Sequence, residues 1–241
     1  MPTLDRAPSR GSPETKDRIL AAAEALFMEQ GYGSTSLRAI TAKAKVNLAA
    51  VNYHFGSKGS LIRAVFDRRL GPLNQARLDH LRRLEREADG QPLAPEAVLE
   101  AMIAPALQLS RDPLQQGAAF LRLLGRALSE PAETMKDVLP NHYREVVLRF
   151  KEAFVRALPH VPEQELIWRM HFTFGAMAYA MAGNDALQLI ATCDAEGASD
   201  PEAIIRRLVP FLAAGLEAPL PTLARPHASH SPDTNTNRQA A

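Results

Sequence analysis

Residues Ser34 to Lys58 read STSLRAITAKAKVNLAAVNYHFGSK, two short apolar-periodic segments joined by a tight polar turn. Ser34, Thr35 and Ser36 are each capable of capping a helix, because a short side-chain oxygen accepts from an amide left unpaired in the first turn. The first segment, Leu37–Ala44, sets Leu37, Ile40 and Thr41 on one side. Val46-Asn47 opens the second, Leu48–His54, with Val51 inward and Asn47, Ala49, Ala50, Asn52 and Tyr53 at varying outward exposure. Two short helices about a tight turn form a helix-turn-helix, whose second helix enters the DNA major groove and meets base edges with its N-terminal half.

The flanks agree with that placement. Between Glu14 and Gly71 stand nine basic and five acidic residues, a local charge of +4 against +1 for the whole chain. Phosphate contacts supply affinity and register, and base contacts supply sequence choice. Lys58 falls in the first turn of a fourth helix, where its charge adds to the free amides of the helix start and makes a phosphate site. The hydroxyls of Thr35 and Tyr53 are within range of phosphate, Asn47 and Asn52 suit adenine edges, and Ala49 or Ala50 suits a thymine methyl. On periodicity alone the same stretch also fits a three-helix bundle with a solvated basic surface.

The rest of the 241 residues are read outward from this stretch. The first helix runs from Pro13 to about Gln30, capped by Ser12 and ended by Gly31, with Ile19, Ala22, Ala23, Leu26 and Phe27 on one face. The fourth passes through Leu61, Ile62, Val65 and Phe66 to Gly71-Pro72, which end or kink it, and Gln75 to Ala88 continues helically. Pro13, Pro95, Pro113, Pro131, Pro162 and Pro201 each precede a helix-like run, as expected at a first helical position where no amide is needed. Longer apolar helices are predicted over 95–109, 114–128, 131–158, 162–189 and 201–216. No segment alternates over a strand's length, so the fold class is all-α. The expected domains are an arm over 1–12, a DNA-binding unit over 13–71, a ligand-binding and dimerisation unit over 72–217, and a polar Pro, Ser, Thr and Asn-rich tail over 218–241 that is expected to be disordered.

The residue order carries a resemblance. ILAAAEALFMEQGYGSTSLRAITAKAKVNLAAVNYHFGSKGSLIRAVF is similar to the DNA-binding domain of the TetR family of one-component regulators, matching at Ala23, Phe27, Gly31, Tyr32, Thr35, Ile40, Ala44, Val46, Tyr53, His54, Phe55, Lys58, Leu61 and Val65. The resemblance implies that Thr35, Tyr53, His54 and Lys58 grip phosphate and that Asn47 to Asn52 face the groove. With the capping and basic residues, the DNA-facing set becomes Thr35, Ser36, Arg38, Lys45, Asn47, Ala49, Ala50, Asn52, Tyr53, His54 and Lys58. Two departures stand out: Lys45 replaces the family's usual turn glycine, which implies a lysine at positive φ, and Gly59 replaces a charged residue after Lys58. FLRLLGRALSEP, LIWRMHFTFGAMAYAMAG and LVPFLAAGL resemble the PsrA type within the family, associated with fatty-acid sensing and with control of fatty-acid breakdown genes.

The expected partners are a palindromic double-stranded operator, a second copy of the chain in a homodimer, and a small apolar effector, a fatty acid or acyl-CoA. The resemblance implies that the last two long helices form the dimer interface. Gly175, Ala176, Ala178, Ala180, Ala182 and Gly183 permit close helix approach there, and Ile204, Leu208, Phe211 and Leu212 keep helical spacing. The effector set comprises Phe120, Leu124, Trp168, Phe172 and Tyr179 as apolar lining, with Arg122, Arg126, Arg169 and His171 as polar groups for a carboxylate or phosphate. Ordinary core packing and interhelical salt bridges are the competing account of these residues. A drug-responsive repressor of efflux genes and a helical lipid-binding protein are the other functions in play.

Enzyme chemistry finds no foothold: the chain has no Gly-rich phosphate loop, no His-Glu-x-x-His and no nucleophile elbow. No cofactor or metal is expected, with seven scattered histidines and one cysteine, Cys193. Met1 to Ser12 lacks the apolar region of a secretory signal, and no stretch matches a membrane span, so a cytoplasmic protein without membrane contact is expected.

Overall fold

A computed structural model of the chain describes residues 12–112, 116–129, 138–182 and 201–221. The expectations for the arm, for Pro113 and Pro131, for Gly183, for Cys193 and for all of the tail beyond residue 221 lie outside the described residues, as do those for the side chains of Ala182 and Ile204. Among the described residues all regular structure is α-helical: α1 Pro13–Ser34, α2 Leu37–Ala44, α3 Leu48–Phe55, α4 Lys58–Glu87, α5 Pro95–Ser110, α6 Gly117–Ser129, α7 Val138–Ala157, α8 Glu163–Ala182 and α9 Pro201–Glu217.

Side-chain caps decide where the first four helices begin. Ser12, Ser36, Asn47 and Ser57 each stand in extended backbone and accept from the amide three residues on, which satisfies one orphan donor of each first turn. Gly31, at φ 80° and ψ 163°, interrupts α1 where a stop is expected, and one further turn leads from it to Ser34. α4, by contrast, does not end at Gly71-Pro72. It runs on for 30 residues, because Leu70, Leu73, Asn74, Arg77, Leu78 and Leu81 keep one face buried while Gly71 and Pro72 lie on the exposed side.

Two buried clusters result. The first joins Ile19, Phe27, Ile40, Val51, Leu61 and Phe66 of α1 to α4 with Phe120, Leu121, Leu123 and Leu124 of α6. The second gathers Leu78, Leu81, Leu99, Phe150, Phe154, Leu166 and Leu216 from α4, α5, α7, α8 and α9. α6 thus shares the core of the N-terminal helices, with the Phe66 and Phe120 rings 5.9 Å apart, while it also packs along α8. A fully buried Phe of this kind contributes about 1.5–3 kcal/mol by removal from water.

Charged groups are buried as well, among them Glu24 and Arg77. Glu24 of α1 pairs with Arg69 and, at 3.5 Å, with Arg68 of α4, so part of the local basic charge is used inside the fold. Arg77 of α4 is 2% exposed and donates from Nε to the Met102 carbonyl at 2.9 Å and from Nη1 to Asn74 Oδ1 at 3.0 Å. Asn74 Nδ2 donates in turn to the His142 carbonyl at 2.9 Å, and His142 Nε2 lies 2.6 Å from Asp67, which fastens α7 along α4.

Candidate nucleic-acid interface

α2 and α3 pack on α1 with the turn Lys45–Val46 between them. Lys45 takes left-handed backbone, φ 53° and ψ 48°, its amide donating to the Ala42 carbonyl while that of Val46 donates to Thr41. Closing the helix this way satisfies carbonyls the last turn leaves free. The residue expected to be strained in the turn therefore occupies the strained conformation, with its ammonium in solvent beside α3.

On α3, Ala50 and Val51 face the core and Leu48, Ala49, Asn52 and Tyr53 face out. Those four positions are spaced i, i+1, i+4 and i+5, one side of a helix. Tyr53 is 76% exposed and Leu48 46%, so a bulky apolar side chain stands on the outward face where the sequence predicts alanine. Its spacing of four from Asn52 is the signal that finds it. Arg38, Lys43 and Lys45 are exposed on the neighbouring helix and turn.

Several expected DNA contacts are occupied elsewhere. Thr35 is 2% exposed, and its hydroxyl donates to the Gly31 carbonyl at 2.8 Å and the Leu26 carbonyl at 3.2 Å. It staples the end of α1 and is not presented to phosphate. Ala50 is 4% exposed and turned away from any thymine methyl. As the α3 cap, Asn47 Oδ1 accepts from the Ala50 amide at 3.0 Å, so the two-atom adenine contact is open to Asn52 and not to Asn47. Ser36 is likewise engaged as a cap, to the Ala39 amide at 3.1 Å.

Lys58 behaves in two ways at once. Its Nζ donates to the Gly33 carbonyl at 3.3 Å and lies 4.3 Å from the centre of the Tyr32 ring, so it ties the start of α4 to the end of α1. Partial burial lowers the pKa of its ammonium below the usual lysine value. His54 is half-buried, its ring edge-on to Tyr53 at 5.1 Å, and it holds the base of that exposed phenol.

The expected effector set does not converge. Phe120 and Leu124 are fully buried in the N-terminal cluster. Arg122 and Arg126 are exposed and face a cleft against α1 and α2. Trp168, Phe172 and Tyr179 are 60%, 64% and 55% exposed on one outer side of α8, with Trp168 and Phe172 stacked, and His171 is exposed beside them. Periodicity marks an apolar face there without telling inside from outside. Arg169 is buried and its donors are taken by Glu165 at 2.8 Å, the Leu216 carbonyl at 2.6 Å and the Pro219 carbonyl at 3.3 Å. It fastens α8 to the end of α9. Among the described residues no group of three or more His, Cys, Asp or Glu side chains is placed to hold a metal, and no helix is long and apolar enough to cross a membrane.

This geometry has counterparts. Residues 19–65 match the model for bacterial regulatory proteins of the tetR family, and residues 100–215 match the model for the tetracyclin repressor-like C-terminal domain. A transcriptional repressor of Mycobacterium tuberculosis is 47% identical over 57 residues, which cover 24% of this chain and 30% of the relative. The repressor BepR of Brucella suis is 30% identical over 112 residues, 44% of this chain and 48% of the relative. The chain therefore spans less than half the length of the curated relatives it matches. Among solved structures, the fatty acid degradation regulator FadR of Bacillus halodurans superposes with a TM-score of 0.58 at 15% identity, covering 86% of this chain and 98% of that one. A TetR-family regulator of Streptomyces coelicolor superposes with 0.53 at 19% identity, covering 87% and 98%. At such identities the likeness is one of fold. The two family models together match most of the described helices, and the chain belongs to the tetR family of bacterial regulatory proteins.

Proposed function

We propose that the chain is a DNA-binding transcriptional repressor that acts as a homodimer on a palindromic operator and is released by an apolar effector with an acidic head, a long-chain fatty acid or its acyl-CoA. One observation carries the DNA reading: the outward side of α3 presents Leu48, Ala49, Asn52 and Tyr53 to solvent between exposed cations on α2 and its turn. An amide for a base edge, small and apolar groups for a thymine methyl, and flanking charge for phosphate are what a recognition helix needs. The dimer reading is supported by the apolar strip Trp168, Phe172 and Tyr179 on α8, and by the two half-sites about one DNA turn apart that a palindrome presents.

Arg77 supports an acidic effector. It is buried, its second terminal nitrogen meets no acceptor among the described residues, and no carboxylate pairs with it there. A buried guanidinium is costly without a counter-ion, and a carboxylate head supplies one. The fatty-acid connection of the Bacillus halodurans neighbour, and the resemblance to the PsrA type, point to the same chemistry. A head group drawing on Arg77 shifts α4, which starts at Lys58 beside the DNA face, provided the ligand binds the released state more tightly than the DNA-bound one.

The test is selection of genomic fragments by the purified protein, then anisotropy titration of the recovered duplex. Salt-sensitive binding to a palindrome is expected, with release by oleic acid or oleoyl-CoA and loss of that release in R77M. Absence of any bound fragment at low salt rejects the repressor. Binding that lipids leave unchanged, but an apolar drug relieves, rejects the fatty-acid effector and moves the control towards efflux.

A further inference from the structure

Where α1, α2 and α6 meet, a cleft of about 390 Å³ opens to solvent. Its walls include Met28 and Glu29 of α1, Lys43 at the end of α2, and Gln116, Arg122 and Arg126 at or on α6. Arg122 and Arg126 are one helical turn apart, so their Cβ atoms stand about 5–6 Å from each other on the same side. Elsewhere on the surface arginines converge on carboxylates: Arg149 and Arg156 on Glu85, Arg111 and Arg206 on Glu202. Among the described residues no carboxylate lies within ion-pair distance of Arg122, Arg126 or Lys43. Glu29 shares their cleft and yet pairs with none of them.

We propose that this cleft is a second ligand site, apart from the buried Arg77 to which the acidic effector head was assigned, and that it takes a small phosphorylated metabolite carrying free hydroxyls. Three cations held in one concavity repel each other, and an anion removes that repulsion. Two guanidinium forks a turn apart suit the oxygens of a phosphate, which they can grip in two-point fashion, and Lys43 at the end of α2, which also borders the α3 surface, adds a point charge. Glu29 is placed to accept from a hydroxyl on the same molecule and disfavours a bare inorganic polyanion. The volume falls in the range of small-molecule sites.

The position gives the site a consequence. α6 is built into the N-terminal core through Phe120 and Leu124 and packs along α8, so it bridges the DNA-binding helices to the rest of the fold. An occupant that ties α6 to α1 and α2 fixes the angle at which the DNA-binding helices are held. Whatever it does to operator affinity, the operator must do to its own affinity in return.

Ribose 5-phosphate is the probe, titrated into the full-length protein at constant ionic strength, with sulfate as the control. A saturable rise in melting midpoint of about 2–4 °C is expected with the sugar phosphate and not with sulfate. R122Q/R126Q is expected to weaken that binding at least tenfold, with the melting midpoint of the unliganded protein unchanged because both side chains are exposed. E29Q is expected to weaken ribose 5-phosphate and to spare pyrophosphate. No saturable response beyond that of sulfate overturns the proposal, as does an undiminished response in R122Q/R126Q. So does a variant that keeps the sugar-phosphate response but loses duplex affinity with a flatter salt dependence, since the arginines then serve the DNA backbone. The readout involves neither DNA nor lipid, so it stands or falls apart from the repressor reading.

Discussion

α3 and α8 both hold aromatic rings out in water, and they do so in opposite chemical settings. On α3 the exposed ring is a phenol, Tyr53, set beside an amide, Asn52, and within a surface that carries Arg38, Lys43 and Lys45. On α8 the exposed rings are Trp168, Phe172 and Tyr179 with Ile167 beside them, and the nearest arginine, Arg169, is turned inward and fully engaged. The first surface tolerates water and suits a hydrated polyanion. The second loses about 25 cal/mol for every Å² of apolar area left in water, which a protein partner removes. One exposed face is therefore read as the output and the other as the junction that sets two outputs at a fixed spacing.

The largest expected effect on duplex binding breaks the junction. W168E/F172E places two carboxylates on the α8 strip, at positions exposed enough that the protomer itself keeps its core. Light scattering is expected to show half the mass of the parent. Affinity for a full palindrome should fall by about 10² or more, the loss of two-site binding, while affinity for an isolated half-site is unchanged. A variant that keeps the parent mass would take the interface of the proposed dimer off α8.

F120A acts between the two faces. Phe120 has no exposure and packs on Phe66, so truncation is expected to cost about 3–5 kcal/mol in a urea titration. Because the ring lies in the core shared by α1 to α4 and α6, signals from α1 to α3 and from Trp168 should shift together. If only the tryptophan signal shifts, α6 does not bind the two parts into one cooperative unit.

Much of the first surface is legible in residue order, and little of the second. Cap residues announce helix starts with local chemistry alone, and Ser12, Ser36, Asn47 and Ser57 do so. The same locality hides what the caps exclude: Asn47 suits a base edge by type, although its Oδ1 is consumed by the Ala50 amide. Thr35 suits phosphate by type, and nothing in its neighbours reveals that the end of α1 folds over its hydroxyl. On α8 the period of 3.6 finds an apolar side, but whether that side meets its own chain or another is a property of tertiary packing. Trp168, Phe172 and Tyr179 therefore read as the lining of an interior cavity and stand instead on the outside. Gly71-Pro72 leaves α4 open to ending or kinking, and the burial of Leu70, Leu73 and Leu78 decides for continuation.

Thr35 and Tyr53 sharpen the contrast within the first surface. T35V leaves the Leu26 and Gly31 carbonyls without their donor and is expected to cost about 1–3 kcal/mol of stability, with duplex affinity unchanged wherever the protein is folded. Y53A should do the reverse, leaving stability within about 0.5 kcal/mol and lowering duplex affinity, since 76% of the residue lies in solvent. Chemical denaturation and anisotropy on the same preparations separate the two. A Thr35 variant that loses affinity while fully folded would return that hydroxyl to the interface.

Lys45 combines both roles in one residue, and its substitution by glycine has the smallest expected effect. Left-handed backbone at φ 53° costs a residue with a Cβ about 1–2 kcal/mol, which K45G removes. Glycine is also freer in the unfolded chain, which takes back about 0.4–1 kcal/mol. The balance favours glycine by about 0.8 kcal/mol, a rise of a few degrees at most in melting midpoint. The same change deletes an exposed cation beside α3. If that ammonium contacts a phosphate, the slope of log affinity against log salt falls by about 0.9. Stability and operator affinity are thus expected to move in opposite directions, and that divergence separates a lysine kept for the duplex from one merely tolerated in the turn.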